Sequence, residues 1–409
     1  MFWVNSENRI PIKSWCKNVE PGAMEQAVNN ANLPFTFRHI ALMPDCHMGY
    51  GLPVGGVMAT DGAVVPYCVG VDIGCGMTAV NTRYHGDVSQ DVVKKIFGSL
   101  REIIPVGFSH QNKPQLWTGF DSPPNIPIIE QEIESAKNQL GTLGGGNHFI
   151  EIQRSGNGQV WLMIHSGSRN FGYKIAGEYH KKAKGLCEEW YSSIPNQDLS
   201  FLPLSSDEGK EYVVAMGYAL DFAQANRSVM MERFMCVVES YIECDFGDEI
   251  DVHHNYARME HHFGKNVMVH RKGATSARAG EVGIIPGSQG TASYIVEGLG
   301  NPLSFTSCSH GAGRAMGRKQ AQRELNLEEQ QAILDEQGIV HSVRNARDLD
   351  EAPGSYKNIE DVMESQSDLV KIIVKLRPLG VMKGLKNEPP RLFQARPPLR
   401  KLRLLRFRC

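Results

Sequence analysis

The stretch GTLGGGNHFIEIQRSGNGQVWLMIHSGSR, Gly141–Arg169, holds two short apolar runs, HFIEIQR and VWLMIHSG, each bounded by glycine. Runs of this length, rich in branched and aromatic residues and closed by turn formers, read as β-strands. Each carries a histidine at an end: His148 opens the first run and His165 closes the second. Strand ends on a rigid scaffold are where proteins present reactive groups, so this stretch bears on chemistry as well as fold.

Working outward, GLPVGGVMAT and MTAVNTRY repeat the strand pattern. Helical spacing, with apolar residues three and four apart, predicts helices over Gln90 to Ile104, Ile128 to Leu140, Glu211 to Ile242, Lys319 to Gln337 and Ile359 to Leu376. No internal repeat is visible, and no Pro/Ser-rich linker divides the first 380 residues. The expectation is an α/β (α+β) fold: one intertwined domain over residues 1–384, with central β-sheets flanked by helices. After residue 384 the composition changes, with proline pairs and eight basic residues against one acid from Lys386 to Cys409. Residues 385–409 read as a disordered basic extension, or functionally as an arm that touches phosphates.

Composition narrows the function. The net charge of −2 over 409 residues excludes a protein that holds nucleic acid by bulk positive charge and leaves only a local basic channel. The N-terminus lacks a basic segment followed by an apolar run and a small-residue cleavage site, and no stretch reaches the apolar length of a membrane span. A soluble, cytoplasmic protein with no membrane partner is expected. Nine cysteines, scattered singly and without a CxxC pair, argue against a disulfide framework. Cys46 and Cys68 read as core filler; only Cys75 has neighbours that suit a thiolate.

Candidate metal ligands crowd the loops that follow strands. VGVDIGCGM supplies Asp72 and Cys75 within a glycine-rich turn, GTLGGGNHFIE supplies Asn147, His148 and Glu151, and WLMIHSGSR supplies His165. In DVHHNYARMEHHFG, adjacent strand residues face opposite ways, so one histidine of a pair points into a given site; His254, beside Asn255, is the choice. His261 and His262 read as polar surface or turn. One carboxylate, one thiolate and three imidazoles exceed the needs of one tetrahedral ion, and a thiolate can bridge two, which points to a two-metal centre of the kind used in phosphoryl transfer. Glycine-rich stretches such as IIPGSQG and HGAGR suit phosphate, although no P-loop motif is present. His310, within SFTSCSHGAGR, is then free to attack phosphorus through a neutral ring nitrogen. Two alternatives stay open: a two-metal phosphoesterase in which His310 is a general acid or a sixth ligand, and a non-catalytic RNA-binding module.

Together the motifs resemble one family. PDCHMGYGLPVGG, GVDIGCGM, LGGGNHFIE, HSGSRNFG, HHNYARMEHHFG, RKGATSARAGEVGIIPGSQGTASY, SCSHGAGRAMGR and MESQSDLVKIIVKLRPLGVMKG are similar to the RtcB-type RNA ligases, from about Met1 to Gly384. The resemblance implies GTP and two manganese ions, one held by Asp72, Cys75 and His148 and the other by Cys75, His165 and His254. It implies that His310 becomes guanylylated, and that Asn147 and Asn255 contact phosphate. Glu151, Ser293, Tyr356 and Lys383 would surround the guanine, Ser288 and the loop Gly311, Ala312, Gly313 would lie along the nucleotide, and Arg169 would lie near RNA or phosphate. The implied substrates are RNA ends, a 3′-phosphate or 2′,3′-cyclic phosphate and a 5′-hydroxyl, from tRNA halves or broken RNA. An archease-type activator and a monomeric state are further expectations. Two departures stand out: about 25 residues follow the position of Lys383, and PVGFSHQNKPQLWTGFDSPP is poor in basic residues for gripping RNA.

Overall fold

Two antiparallel-rich sheets organise the computed structural model, which describes residues 1–384. The extension expected over 385–409 lies outside the described residues. A seven-stranded sheet runs in the order Ile250–His253, Gly76–Asn81, Val160–Ser166, Phe149–Ser155, Val370–Lys383, Ser293–Gly298, Val282–Ile285. A six-stranded sheet combines Trp3–Asn5, Ile12–Ser14, Thr36–His47, Val54–Thr60, Lys265–Lys272 and Asn255–His262. Strand order departs widely from chain order, as expected of one intertwined α/β domain rather than beads on a string. Among the described residues no helix is long and apolar enough to cross a membrane.

The strands of the opening stretch, Phe149–Ser155 and Val160–Ser166, are buried on both faces, which is why they read as nearly continuous apolar runs. One face is covered by the helix Asp207–Glu239 through Met230, Met231 and Phe234. That helix starts where the sequence supplies a cap: Ser206 Oγ accepts from the Gly209 N–H, and Asp207 and Glu208 complement the positive end.

Three of the predicted helices are found within a few residues of their expected limits, at Gln90–Ile103, Pro127–Gln139 and Asp207–Glu239. Two expectations need correction. Lys319 to Gln337 is two helices, Arg318–Glu324 and Leu327–Glu336, because Asn326 caps the second by accepting from the Glu329 N–H. Ile359 to Leu376 is helical only over Ile359–Ser365; Val370–Lys383 is a strand between Phe149–Ser155 and Ser293–Gly298. Its β-branched run satisfied helical spacing, and sheet pairing decided the outcome. The helix Arg169–Glu189 was not anticipated. His262 is no surface residue either: it is buried in strand Asn255–His262, 2.9 Å from Glu260.

Candidate active site

Strand register assembles one end of the larger sheet. His165 pairs with both Phe149 and Met77, which brings His148 and Cys75 to the same edge. His253 pairs with Gly76, and the His254 N–H donates to the Cys75 carbonyl at 2.9 Å. His253 turns instead to the Gly74 carbonyl, so the strand alternation separates the two histidines.

The donor atoms form a row. Asp72 Oδ2 lies 3.1 Å from His148 Nε2, which is 3.4 Å from Cys75 Sγ. Cys75 Sγ is 3.2 Å from His165 Nε2, and His165 Nε2 is 3.3 Å from His254 Nε2. Cys75 is therefore central, with a carboxylate and an imidazole on one side and two imidazoles on the other. Cys75, His148 and His165 have ligand atoms all within 4.8 Å of one another. Burial above all, with nearby cationic groups, holds His165 and His254 well below the usual histidine range, so both are neutral and keep lone pairs. Burial and the Asp72 charge push the Cys75 thiol far up. At Asp72, burial opposes ionisation, but the His148 hydrogen bond and charge outweigh it and the carboxyl is lowered. Asp72 Oδ1 is buried without a partner. Lone pairs turned on one another, a thiol that needs a cation to ionise and an orphaned carboxylate oxygen fit divalent metal.

The His310 ring centroid is 4.8 Å from that of His254, just past the end of this row. Its Nδ1 donates to Asp45 Oδ2 at 2.6 Å, and the same oxygen accepts from the His310 backbone N–H at 3.1 Å. With Nδ1 protonated, the lone pair of the neutral ring is at Nε2. Asp45 was not singled out from the sequence, although it lies within PDCH; its carboxylate is completely buried. Gly313, at φ +73°, lies against Asp45 with no room for a Cβ, so the HGAGR loop needs its glycine here. Asp45→Asn is expected to slow any reaction that uses Nε2 as a nucleophile by about 10³- to 10⁴-fold, because an amide stabilises neither the tautomer nor the developing charge. Single-turnover rates checked against unchanged thermal melting test this.

At the other side of the cleft Glu351 is a hub. It accepts from Lys383 Nζ at 2.7 Å, from Arg314 Nη1 at 3.3 Å and from the Tyr356 hydroxyl, with Arg318 Nε 4.0 Å away. Burial opposes its ionisation, but Lys383, Tyr356 and Arg318 together hold the carboxyl at about 2. Relative to an ordinary 4.5, that depressed value contributes roughly 3 kcal/mol of stability above pH 4.5. The contribution is lost as pH falls from about 4.5 to about 2. Urea unfolding is expected to show this segment of acid sensitivity in the wild-type chain and not in Glu351→Gln. Glu351 was also missed, since an EAP tripeptide carries no spacing signal.

The family described as tRNA-splicing ligase RtcB matches residues 26–384, a span that contains every residue of this row and hub. The chain belongs to that family. It is 38% identical over 407 residues to the RNA-splicing ligase RtcB of Escherichia coli K12, covering 93% of this chain and 99% of that relative. It is 33% identical over 438 residues to the tRNA-splicing ligase RtcB of Thermococcus kodakarensis, covering 88% and 91%. The RNA-splicing ligase RtcB of Mycobacterium tuberculosis is 32% identical over 435 residues, covering 88% and 100%.

Most residues that the RtcB resemblance assigns meet in one cleft: Asp72, Cys75, Asn147, Glu151, His165, His254, Asn255, Ser288, His310, Gly311, Ala312, Gly313, Tyr356 and Lys383 all line it. His148 joins through Cys75 and Asp72. Ser293 lies behind the wall, where its Oγ accepts from Gln153 and from the Gly287 N–H. Arg169 donates from its guanidinium to Thr142 Oγ1 and the Gly107 carbonyl, and its charge helps to lower the Asp72 carboxyl. Glu151 is buried with Oε1 unpartnered, and burial pushes its carboxyl up to about 8 against the weaker pull of Gln153 and Lys383. Lys272, also unassigned from sequence, lines the cleft and donates to the Tyr67 carbonyl at 3.0 Å.

Proposed function

We propose that this chain is an RNA ligase that joins a 3′-phosphate or 2′,3′-cyclic phosphate end to a 5′-hydroxyl end, consuming GTP at a centre of two manganese ions. The observation that carries this reading is the continuous row from Asp72 to His254, with Cys75 at its middle and an Asp45-oriented histidine beyond its end. The row divides as the resemblance divides the ligands: Asp72, His148 and Cys75 on one side, Cys75, His165 and His254 on the other. Metal held there supplies charge for phosphate oxygens and aligns attacking and leaving groups.

His310 Nε2 attacks the α-phosphorus of GTP; the new N–P bond forms as pyrophosphate leaves, and Asp45 keeps the proton on Nδ1. The GMP group passes to the RNA 3′-phosphate, which restores His310. The 5′-hydroxyl of the second strand attacks that activated phosphate and GMP departs. A cyclic phosphate is first opened by water to the 3′-phosphate. Asn147 and Asn255 steady phosphate oxygens, while Glu151, ionised once the guanine N–H groups donate to it, accepts from the guanine edge and so favours guanine over adenine. The phosphoesterase alternative is disfavoured by the family match.

The test supplies GTP, Mn²⁺, one RNA labelled at its 3′-phosphate and a second RNA with a 5′-hydroxyl. A joined product that keeps the label, protected from phosphatase, is expected. Release of labelled inorganic phosphate without joining would put the phosphoesterase first.

A further inference from the structure

The helix Asp207–Glu239 carries two consecutive polar residues, Asn226 and Arg227, both with no solvent exposure. A helix over an apolar sheet face has no folding reason to bury them, because each must find partners for every polar atom. They find those partners in the backbone of the loops that carry the metal-ligand candidates.

Asn226 Oδ1 accepts from the Gly141 N–H at 2.7 Å and the Thr142 N–H at 3.1 Å. Its Nδ2 donates to the Thr142 carbonyl at 3.1 Å, Ser166 Oγ at 3.3 Å and the Gly167 carbonyl at 3.1 Å. The residue after Thr142 completes the link: the Leu143 carbonyl accepts from Ser166 Oγ at 2.8 Å and lies 2.9 Å from His148 Nδ1. Gly167 lies against the Asp72 carboxylate, where a Cβ would collide.

Arg227 grips the rest. Its Nη1 donates to the carbonyls of Gly74 at 2.9 Å and Ser166 at 3.0 Å, the neighbours of Cys75 and His165. Its Nε and Nη2 pair with Asp251 at 2.7 Å each, and Nη2 is 3.2 Å from His253 Nδ1, next to His254. One helical dipeptide thus touches a residue beside each of Asp72, Cys75, His165 and His254, and reaches His148 one step further on, through Ser166 Oγ and the Leu143 carbonyl.

We propose that Asn226 and Arg227 are positioning residues of the metal centre: they lock four separate chain segments in register, so that five donors converge without a metal to draw them together. This rests on the metal-binding part of the reading above. Donors held in place in advance bind more tightly than donors that must be gathered, and supporting contacts of this kind are typically worth about 10- to 100-fold in affinity.

The test is calorimetric titration of the full chain with Mn²⁺ alone, together with melting temperatures. The variants are Asn226→Ala, Arg227→Lys, which keeps a cation opposite Asp251, and Phe234→Leu, which loosens the same helix without touching either grip. Mn²⁺ affinity is expected to fall about 10- to 100-fold in the first two and to stay within about twofold in the third, even where Phe234→Leu melts at least as low. Guanylylation by the first two should return toward the wild-type rate as Mn²⁺ is raised. Wild-type affinity in both Asn226→Ala and Arg227→Lys would overturn the proposal, as would an equal loss in Phe234→Leu. No Mn²⁺ binding by the wild-type chain would overturn the metal reading beneath it.

Discussion

His310→Ala is expected to abolish transfer of label from α-labelled GTP to the chain, and with it the joining of 3′-phosphate ends, by about 10⁴-fold or more. The variant should still join an RNA prepared with its 3′-phosphate already carrying GMP. The reason is local: His310 Nδ1 is spent on Asp45, which leaves Nε2 free to attack phosphorus, and the final attack of the 5′-hydroxyl on preactivated RNA makes and breaks no bond at that nitrogen. The protein adduct, a phosphoramidate, should survive alkali and be lost in acid. Failure on the preactivated RNA would assign His310 a further role, as a ligand or an acid.

Cys75→Ala is the second large effect. Because Cys75 Sγ lies within 3.4 Å of both His148 Nε2 and His165 Nε2, its loss should remove bound manganese from both sides of the row rather than half of it. Metal analysis after gel filtration is expected to fall from two equivalents to well below one, with labelling by GTP lost as well. Retention of two equivalents would exclude a bridging thiolate. His148→Ala and His254→Ala, on opposite sides of Cys75, should each remove one equivalent and leave the other.

The candidate donors were legible because they are rare residue types beside glycine, asparagine or serine at strand ends, and because period-two alternation lets at most one of His253 and His254 face the others. The strands of Gly141–Arg169 were legible for a related reason: burial on both faces makes a run apolar throughout. The C-terminal strand was not, since Val370, Ile373 and Val374 satisfy helical spacing as well as sheet pairing. Asp45, Glu351, Asn226 and Arg227 escaped because a buried charged or amide side chain in three dimensions looks, in one dimension, like any polar residue.

The position of Val370–Lys383 in the middle of the seven-stranded sheet has a consequence for biosynthesis. Val381 pairs with Glu151, a partner made about 230 residues earlier, and the same strand joins Phe149–Ser155 to Ser293–Gly298. Until it emerges from the ribosome, the two parts of the sheet have no common strand, and Lys383 is not yet opposite Glu351. A nascent chain can therefore make its cysteine and histidines early, but the cleft is complete only once this strand has been made. Pairing at such separation is slow to close and leaves strand edges exposed meanwhile.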